Sequence, residues 1–344
     1  MIETSLHQSE PVALPGRPFG TVARSTAGHA LLTALMMITP MLPVFVPAAL
    51  LHCGLRNGRR AAWTAAAAAM GLVALYALAA YAPGAAATNL ARASFVATAL
   101  AIVLPSLLVL PLVERAANFG TVLALLLLGS IAGLAATEAG YRAIASFSPY
   151  AASVAEVKQS SAQVMAAYRA GGVPEDLVRS LERWGLILLP ASMLMMYSVV
   201  FTLSLLMLGR LKAWHDWAAR RGDAQAHGTY LFRNLSLPDW LLFAFIAGGL
   251  TPLASGLLQK VAANTLAVVA FLYVLQGLAI FRFLLVAMGA GFAGTMLGWL
   301  LLVFLTFTGG AGPMLLGVAG LFDPFFDFRH FKKRKDDSHE SHSD

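Results

Sequence analysis

Polar side chains inside one long apolar stretch are the residues of this chain whose types and spacing first suggest chemistry. The stretch runs from Asn264 to Met288, about the 20 residues that a helix needs to cross a bilayer core of about 30 Å. Tyr273 and Gln276 are three positions apart, so their side chains leave the same face of a helix. An unpaired amide or phenol in hydrocarbon costs several kcal/mol, so this face should point into the protein.

Two interpretations fit these polar groups. In the first, Gln276, Tyr273 and Asn264 form hydrogen bonds with a small polar ligand, and Tyr197 in another apolar run is a weaker member of the set. In the second, the same groups join helices to one another, at roughly 0.6–2 kcal/mol each. The first interpretation predicts a cavity that opens outward and is lined by Gln276 and Tyr273, whereas the second predicts a solid core.

Charged residues near the ends of the apolar runs are interpreted as structural ion pairs. Arg282 lies towards the inner end of the stretch Asn264–Met288, where it either reaches the headgroups or pairs with Asp323 or Asp327. Glu138 and Arg142 are four positions apart at the outer end of another run. That spacing is typical of an ion pair at the membrane interface.

Motifs that carry enzyme chemistry are missing from the chain. There is no His-Glu-x-x-His motif, no Gly-x-Ser-x-Gly motif and no Walker-type phosphate loop. The histidines and acids of the C-terminal tail, His339 and His342 among them, are interpreted as solvated. We therefore expect no catalytic residue, metal or cofactor, and any ATP hydrolysis that the protein needs must come from another subunit.

The elements that position these residues are apolar helices. The chain has 344 residues, of which 58% are hydrophobic and 12% are charged, more apolar surface than a soluble domain of this length can hide. The apolar runs are continuous, whereas a membrane β-barrel alternates apolar and polar residues. The sequence thus predicts an all-α fold, a polytopic transmembrane helix bundle surrounded by lipid. The net charge of +7 comes from short loops and the tail, and predicts no nucleic-acid partner.

The apolar runs predict about eight to ten spans with both termini cytoplasmic. Prolines at 40, 43 and 47 divide the first run, which is either one kinked span or a hairpin of two short helices. The basic turn Leu55–Arg60 should be cytoplasmic, and this favours the hairpin. The later runs cover about residues 61–81, 93–113, 119–140, 184–208, 238–260 and 264–288, followed by two short ones up to 326.

Five segments follow from this order. They are a disordered leader (1–25), a first group of membrane helices (26–140), an extracytoplasmic amphipathic helical segment (141–183), a second group of membrane helices (184–328) and a cytoplasmic tail, basic and then acidic and His-rich (329–344). The basic loop 210–236 should be cytoplasmic, and its Trp214 and Trp217 fit a helix lying along the headgroups.

Three pieces of the chain carry a resemblance to a known family. They are Pro43–Ala62 (PVFVPAALLHCGLRNGRRAA), Leu237–Trp240 followed by Asn264 and by YVLQGLA at Tyr273–Ala279, and GLFDPFFDFR at Gly320–Arg329. On these pieces, across about residues 26 to 331, the chain resembles the YybS-like bacterial membrane proteins.

That family is similar to the substrate-capture (S) subunits of energy-coupling factor transporters, with the likeness in the first hairpin and its basic turn Gly54–Arg60. The resemblance implies a protein of the bacterial inner membrane that binds or transports a small solute, with coupling and ATPase subunits as partners. Ala30 and Ala34, spaced i, i+4, are the candidate contact for a coupling subunit. The alternative is a non-transporting scaffold or regulator that acts through segment 141–183 or the cytoplasmic loop 210–236.

Overall fold

The computed structural model describes residues 19–39, 42–80, 86–223, 226–307 and 311–326. Within these ranges the chain forms helices joined by turns, and no strand occurs there, so the predicted all-α fold is confirmed. The helices are α1 (Phe19–Ile38), α2 (Val46–Asn57), α3 (Arg59–Ala80), α4 (Ala86–Leu108), α5 (Leu110–Val113), α6 (Phe119–Ala145), α7 (Pro149–Ala170), α8 (Glu175–Ile187), α9 (Leu189–Leu208), α10 (Lys212–Arg221), α11 (Trp240–Gly249), α12 (Gly256–Ala287), α13 (Phe292–Phe307) and α14 (Ala311–Phe326).

Five of the described helices, α3, α4, α6, α9 and α12, are long and apolar enough to cross a membrane. A sixth span results if α13 and α14, which are bent by 111°, count as one. This is fewer than the eight to ten spans expected, because some apolar runs form short helices. With 12 and 10 residues, α2 and α11 are about 18 and 15 Å long, well short of the core thickness of about 30 Å. The protein is a multi-pass helix bundle, and both chain termini lie outside the described residues.

The largest departure from the expected spans concerns residues 238–260. The helix α11 stops before a 3-10 turn at Thr251–Leu253, whose central proline has no amide to donate. The next helix begins at Gly256, earlier than the sequence indicates, and runs for 32 residues. A Cβ at Gly248 of α11 would lie 2.8 Å from the Leu266 nitrogen of α12. The two helices therefore approach closely, but α11 covers only part of the length of α12.

The first two helices form a hairpin. The helix α1 begins at Phe19, within the segment expected to be a leader, and residues 1–18 lie outside the described ranges. Asn57 at the end of α2 donates to Ser25 Oγ near the start of α1, at 3.0 Å. Pro47 lies in the first turn of α2, where a missing amide costs no helical hydrogen bond. The chain thus folds back on itself here, as the sequence favours.

The small residues of α1 pack inside the chain. Ala30 belongs to a buried cluster with Cys53 of α2 and with Ala61 and Ala65 of α3. Ala34 is also buried, with 2% of its surface exposed. These alanines were expected to receive a helix of a partner subunit, and instead they receive helices of the same chain. Small side chains permit the close approach in either case, so sequence spacing could not distinguish the two.

Where α4 and α6 cross, a serine of α6 donates a hydrogen bond to the carbonyl oxygen that a proline of α4 leaves free. Pro105 inside α4 has no amide to donate to the Ala101 oxygen four residues earlier. Ser130 Oγ of α6 donates to that oxygen instead, at 2.6 Å. A Cβ added at Gly129 or Gly133 of α6 would lie only 2.9 Å from atoms of α4. The proline therefore leaves an acceptor free, and the close crossing brings the donor that satisfies it.

The basic loop after α9 folds against the end of the bundle at which α6 begins. Trp214 is fully buried, its Nε1 donates to the Ala226 oxygen at 3.2 Å, and its ring stacks on Trp217 at 4.9 Å. Tyr230 packs edge-on against Trp214 and donates to the Ala117 oxygen at 3.4 Å. Both tryptophans are buried in protein, which corrects the interpretation that they lie along the lipid headgroups. Trp214 is covered by Ala226 and Tyr230 of the same loop, and α10 packs against α2, so the apolar and basic composition alone did not reveal this burial.

Candidate functional site

Gln276, the central polar residue of α12, is fully buried, and both ends of its amide are used inside the protein. Its Oε1 accepts the Leu237 N–H at 2.9 Å, and its Nε2 donates to Asp323 Oδ2 at 3.0 Å. The side chain thus joins α12 to α14 and to the segment before α11. It lines neither of the two cavities described below. This geometry favours helix packing over ligand contact for Gln276.

Tyr273 lies in the same crossing of α12 and α14. A Cβ at Gly277 would lie 2.0 Å from the Leu316 oxygen, and a Cβ at Gly320 would lie 2.0 Å from the Tyr273 oxygen. The two helix backbones are therefore in direct contact. The Tyr273 ring is buried edge-on against Phe245, with 5.7 Å between ring centroids. Like the neighbouring amide, it lines neither cavity.

The side chain of Asn264 forms hydrogen bonds with backbone groups at the point where α8 ends and α9 begins. Its Oδ1 accepts the Ala191 N–H at 2.8 Å, and its Nδ2 donates to the Ile187 oxygen at 2.8 Å and to the Lys260 oxygen at 2.7 Å. In a continuous helix the Ala191 N–H would donate to the Ile187 oxygen. The Asn264 amide bridges that interruption from the neighbouring helix, and so fixes the end of α12 against the start of α9.

Of the two aspartates predicted as partners of Arg282, Asp323 lies within the described residues. Among the described residues, no ion pair joins Arg282 to Asp323, and Asp323 accepts a hydrogen bond from Gln276. Asp327 lies outside the described residues.

Glu138 connects the end of α6 to the start of α7. Arg142 Nε lies 2.6 Å from Glu138 Oε1, the ion pair expected from their spacing. Ser148 Oγ donates to the same oxygen at 2.5 Å, and the Tyr150 N–H donates to Glu138 Oε2 at 3.0 Å. Ser148 also caps α7 by accepting the Ala151 N–H at 3.1 Å. The carboxylate therefore holds the first turn of α7 against the bundle.

A cavity of about 390 Å³ lies where α4, α6, α7 and α9 meet, and we call it the outer cavity. Its volume falls within the range of small-molecule sites. Apolar side chains such as Leu134, Val157 and Met193 form much of its wall. The polar residues that line it are Ser94, Thr98, Thr137, Glu138, Tyr150, Ser153, Glu156 and Tyr197.

The charges around the outer cavity are mainly negative. Glu138 is neutralised by Arg142, as described above, whereas Glu156 of α7 is exposed and forms no ion pair with any described residue. Tyr197 is buried, and Thr98 lies beside it in the lining. The arrangement can hold a small solute that has an apolar body, a hydrogen-bonding group near Tyr197 and a cationic group near Glu156.

A second cavity of about 570 Å³ lies between α6, α9, α11 and α12, and we call it the lateral groove. Its lining is mostly apolar and includes Asn264 and Lys260. Tyr150 and Pro190 line both cavities. Of the four predicted ligand residues, Tyr197 lines the outer cavity, Asn264 lines the lateral groove, and Gln276 and Tyr273 line neither.

Sequence reasoning missed Glu156 and Thr98. Glu156 lies in a polar helix where acids and bases nearly balance, so nothing in its neighbourhood marks it. Thr98 is a hydroxyl in an apolar helix, a signal as strong as the one that selected Tyr197. A hydroxyl in an apolar helix does not by itself indicate a binding site, because such side chains in membrane helices also form hydrogen bonds with their own backbone.

Comparison with known proteins finds one family and no individual relative. A family model described as "Predicted membrane protein (DUF2232)" matches residues 29–324. No curated protein and no solved structure matches the chain.

Proposed function

Because the chain belongs to the DUF2232 family of predicted membrane proteins, whose description names no activity, we propose that it binds a small amphipathic solute bearing a cationic group in the outer cavity. The observation that carries the proposal is this cavity of about 390 Å³, lined by Tyr197, Thr98 and Glu156. The role is binding, and it includes no catalytic step.

The chemistry of the walls supports a cationic group on the solute. Glu156 is the charged residue of the lining that lacks an ion-pair partner among the described residues. A cation beside it gains a charge-assisted hydrogen bond, which is roughly twice as strong as a neutral one. An anion at the same place meets like charge. The apolar wall and the Tyr197 hydroxyl suit the body of the solute.

The resemblance to S subunits extends this proposal to transport. In such a system the chain captures the solute from the outer side of a bacterial inner membrane, and coupling and ATPase subunits drive its release. The chain has no phosphate-binding loop of its own, which is consistent with this division of labour. The face of α1 that carries Leu31 and Leu35 is exposed and is the surface that we propose for a coupling subunit.

The test uses the purified full-length protein in lipid nanodiscs. Small amphipathic amines are compared with alcohols and carboxylic acids of the same carbon skeleton, by thermal shift and by isothermal titration. We expect the amines to bind most tightly. A ligand present at 100 times its Kd stabilises the protein by about 2.7 kcal/mol.

Two variants link that binding to the outer cavity. Glu156→Gln should weaken amine binding about tenfold, equivalent to about 1.4 kcal/mol, and leave alcohol binding unchanged. Tyr197→Phe should weaken all ligands. The matched control is Asp176→Asn, since Asp176 is an exposed acid of α8 outside the cavity lining. Equal binding of amines and acids, or no effect of Glu156→Gln, would contradict the proposal.

The scaffold function remains the second candidate, and one observation favours it. The helix α7 has 22 residues and none of them is buried, so its outer face is available to a partner. The loop 210–236 is a weaker candidate surface, because Trp214 and Tyr230 are buried. Exchanging the exposed Val164 and Tyr168 for serine should release any partner that binds through α7. Unchanged co-purification of that partner would count against the scaffold function.

A further inference from the structure

The lateral groove is a separate site from the outer cavity, and the described helices leave one side of it open. The helix α11 contributes only its first residues, Trp240, Leu241 and Ala244, to the lining. With 10 residues it is about 15 Å long, whereas α12 with 32 residues is about 48 Å long. The groove therefore continues along α12 to Leu257 and Lys260, beyond the residues of α11 that line it.

The open side of the groove is apolar. Leu128 of α6 and Val261 of α12 line it, and they are 47% and 55% exposed. In a bilayer such side chains meet acyl chains, because water is absent from the hydrocarbon core. An apolar space of about 570 Å³ in this position is suited to an acyl chain.

A single unpaired cation lies at one end of the groove. Lys260 lines the groove, is exposed, and forms no ion pair with any described residue. Ile187 lies at the same end, since Asn264 donates both to the Lys260 oxygen and to the Ile187 oxygen. The remaining lining along α12, from Val261 to Leu272, includes no other charge. Charge complementarity therefore selects an occupant with a negative group at Lys260 and an apolar chain beyond it.

The length of the groove matches one leaflet. Lys260 and Leu272 are 12 positions apart on α12 and both line the groove, a distance of about 18 Å along the helix. Half of a hydrocarbon core is about 15 Å. A headgroup at Lys260 thus places its acyl chain along the groove to about the middle of the bilayer.

We infer that the lateral groove binds one anionic phospholipid, whose phosphate contacts Lys260 and whose acyl chain lies between α6, α11 and α12. The site does not depend on the solute proposed for the outer cavity. Tyr150 and Pro190 separate the two cavities, so a lipid in the groove supports one wall of the outer cavity.

The test measures lipid retention by native mass spectrometry. The full-length protein is reconstituted with phosphatidylglycerol and phosphatidylcholine in equal amounts and is then extracted into mild detergent. We expect one phosphatidylglycerol to remain bound, in at least tenfold excess over phosphatidylcholine. Lys260→Glu should abolish that preference, whereas Lys158→Glu should leave it intact, because Lys158 is an exposed lysine of α7 outside the groove.

A second measurement locates the acyl chain and does not depend on the charge variant. Phosphatidylglycerol with brominated acyl chains quenches nearby tryptophans, and Trp240 lines the groove. We expect less quenching in Trp240→Phe than in the original chain, and we expect Leu128→Trp, which fills the groove from its exposed side, to displace the lipid. Equal retention of the two lipids, or retention unchanged in both Lys260→Glu and Leu128→Trp, would overturn the inference.

Discussion

Individual polar residues in the membrane part of this protein mostly satisfy one another or the backbone. Gln276 and Asn264 each form hydrogen bonds with a second helix and with a backbone group far away in sequence. Ser130 does the same for the oxygen that Pro105 leaves free. In hydrocarbon the alternative to such bonds is an unpaired polar group. A buried amide here therefore points first to packing, and to a ligand only where a cavity adjoins it.

We expect Gln276→Leu to destabilise the protein and to leave solute binding unchanged. The substitution removes the acceptor of the buried Leu237 N–H, and an unsatisfied buried group costs about 1–3 kcal/mol. Thermal unfolding in detergent measures the loss. The control is Gln259→Leu, a partly exposed position on the same helix. A stable variant with weakened solute binding would contradict the packing role.

Tyr230 should make the protein sensitive to alkaline pH. Burial raises the pKa of Tyr230 in the folded state above the value of about 10 in an unfolded chain. Stability is therefore constant below about pH 10 and falls above it, because the unfolded state loses this proton first. Thermal unfolding between pH 9 and 11 should show a shallower decrease for Tyr230→Phe. An identical decrease in the two proteins would show that Tyr230 does not contribute.

At the scale of elements, glycines and prolines decide where helices touch and where they end. Gly277 and Gly320 allow the backbones of α12 and α14 to meet. The proline in the turn Thr251–Leu253 ends the path of α11 early and leaves the lateral groove open. The first of these contacts, between α12 and α14, brings the LQGLA run and the GLFD segment into one crossing. Their shared role in this structure is close packing.

Alanine at Gly277 or Gly320 should prevent correct packing of α14. The added Cβ would lie 2.0 Å from a backbone oxygen, and backbone cannot move aside as a side chain can. We expect a loss of about 3 kcal/mol or more, seen as a lower melting temperature and a broader elution profile. Gly317→Ala on the same helix is the matched control, since its Cβ would lie 3.4 Å from the flexible side chain of Val274. Equal stability of the three variants would refute the close crossing.

A double-mutant cycle tests the match between α4 and α6. Ser130→Ala leaves the Ala101 oxygen without its interhelical donor, at a cost of about 1–3 kcal/mol. In the background of Pro105→Ala the same change should cost much less, because the new amide can donate to that oxygen. Melting temperatures of the four proteins give the coupling. Additive losses would mean that the serine and the proline act independently.

At the scale of the whole molecule, the outer cavity and the basic loop lie at opposite ends of the bundle. The helices α7 and α8 and the outer cavity form one end. The basic loop packs at the other end. There Arg59 forms an ion pair with the Glu114 carboxylate, and Arg221 Nη1 donates to the backbone oxygen of Glu114 at 2.5 Å. The excess of arginine and lysine there indicates the cytoplasmic side. This predicted orientation would place the outer cavity outside, as the proposed function requires.

Cysteine labelling in intact cells tests this orientation. Cys53 is the one cysteine of the chain and is buried, so Cys53→Ala gives a background with no reactive thiol. In that background, Lys158→Cys on α7 should react with a membrane-impermeant maleimide. Lys212→Cys on α10 should react only after the cells are permeabilised. The reverse pattern would invert the topology and remove the basis for solute capture from outside.

The sequence by itself determined the class of protein and much of its helical order. Continuous apolar runs and a low charge content allow only a membrane helix bundle, because a backbone in hydrocarbon must satisfy its own hydrogen bonds. The spacing of Glu138 and Arg142 predicted their ion pair correctly, since both partners lie on one helix. These features depend on residues close together in the chain.

Tertiary structure alone decided which polar groups are satisfied and where space remains. The partners of Gln276 and Asn264 lie on other helices, so no local pattern could tell a ligand contact from a packing bond. The cavities arise from the short length of α11 and from the position of α7 over α4 and α6, which depend on how helices meet. The number of spans also depends on this packing, because a short apolar helix can be buried in protein instead of crossing lipid.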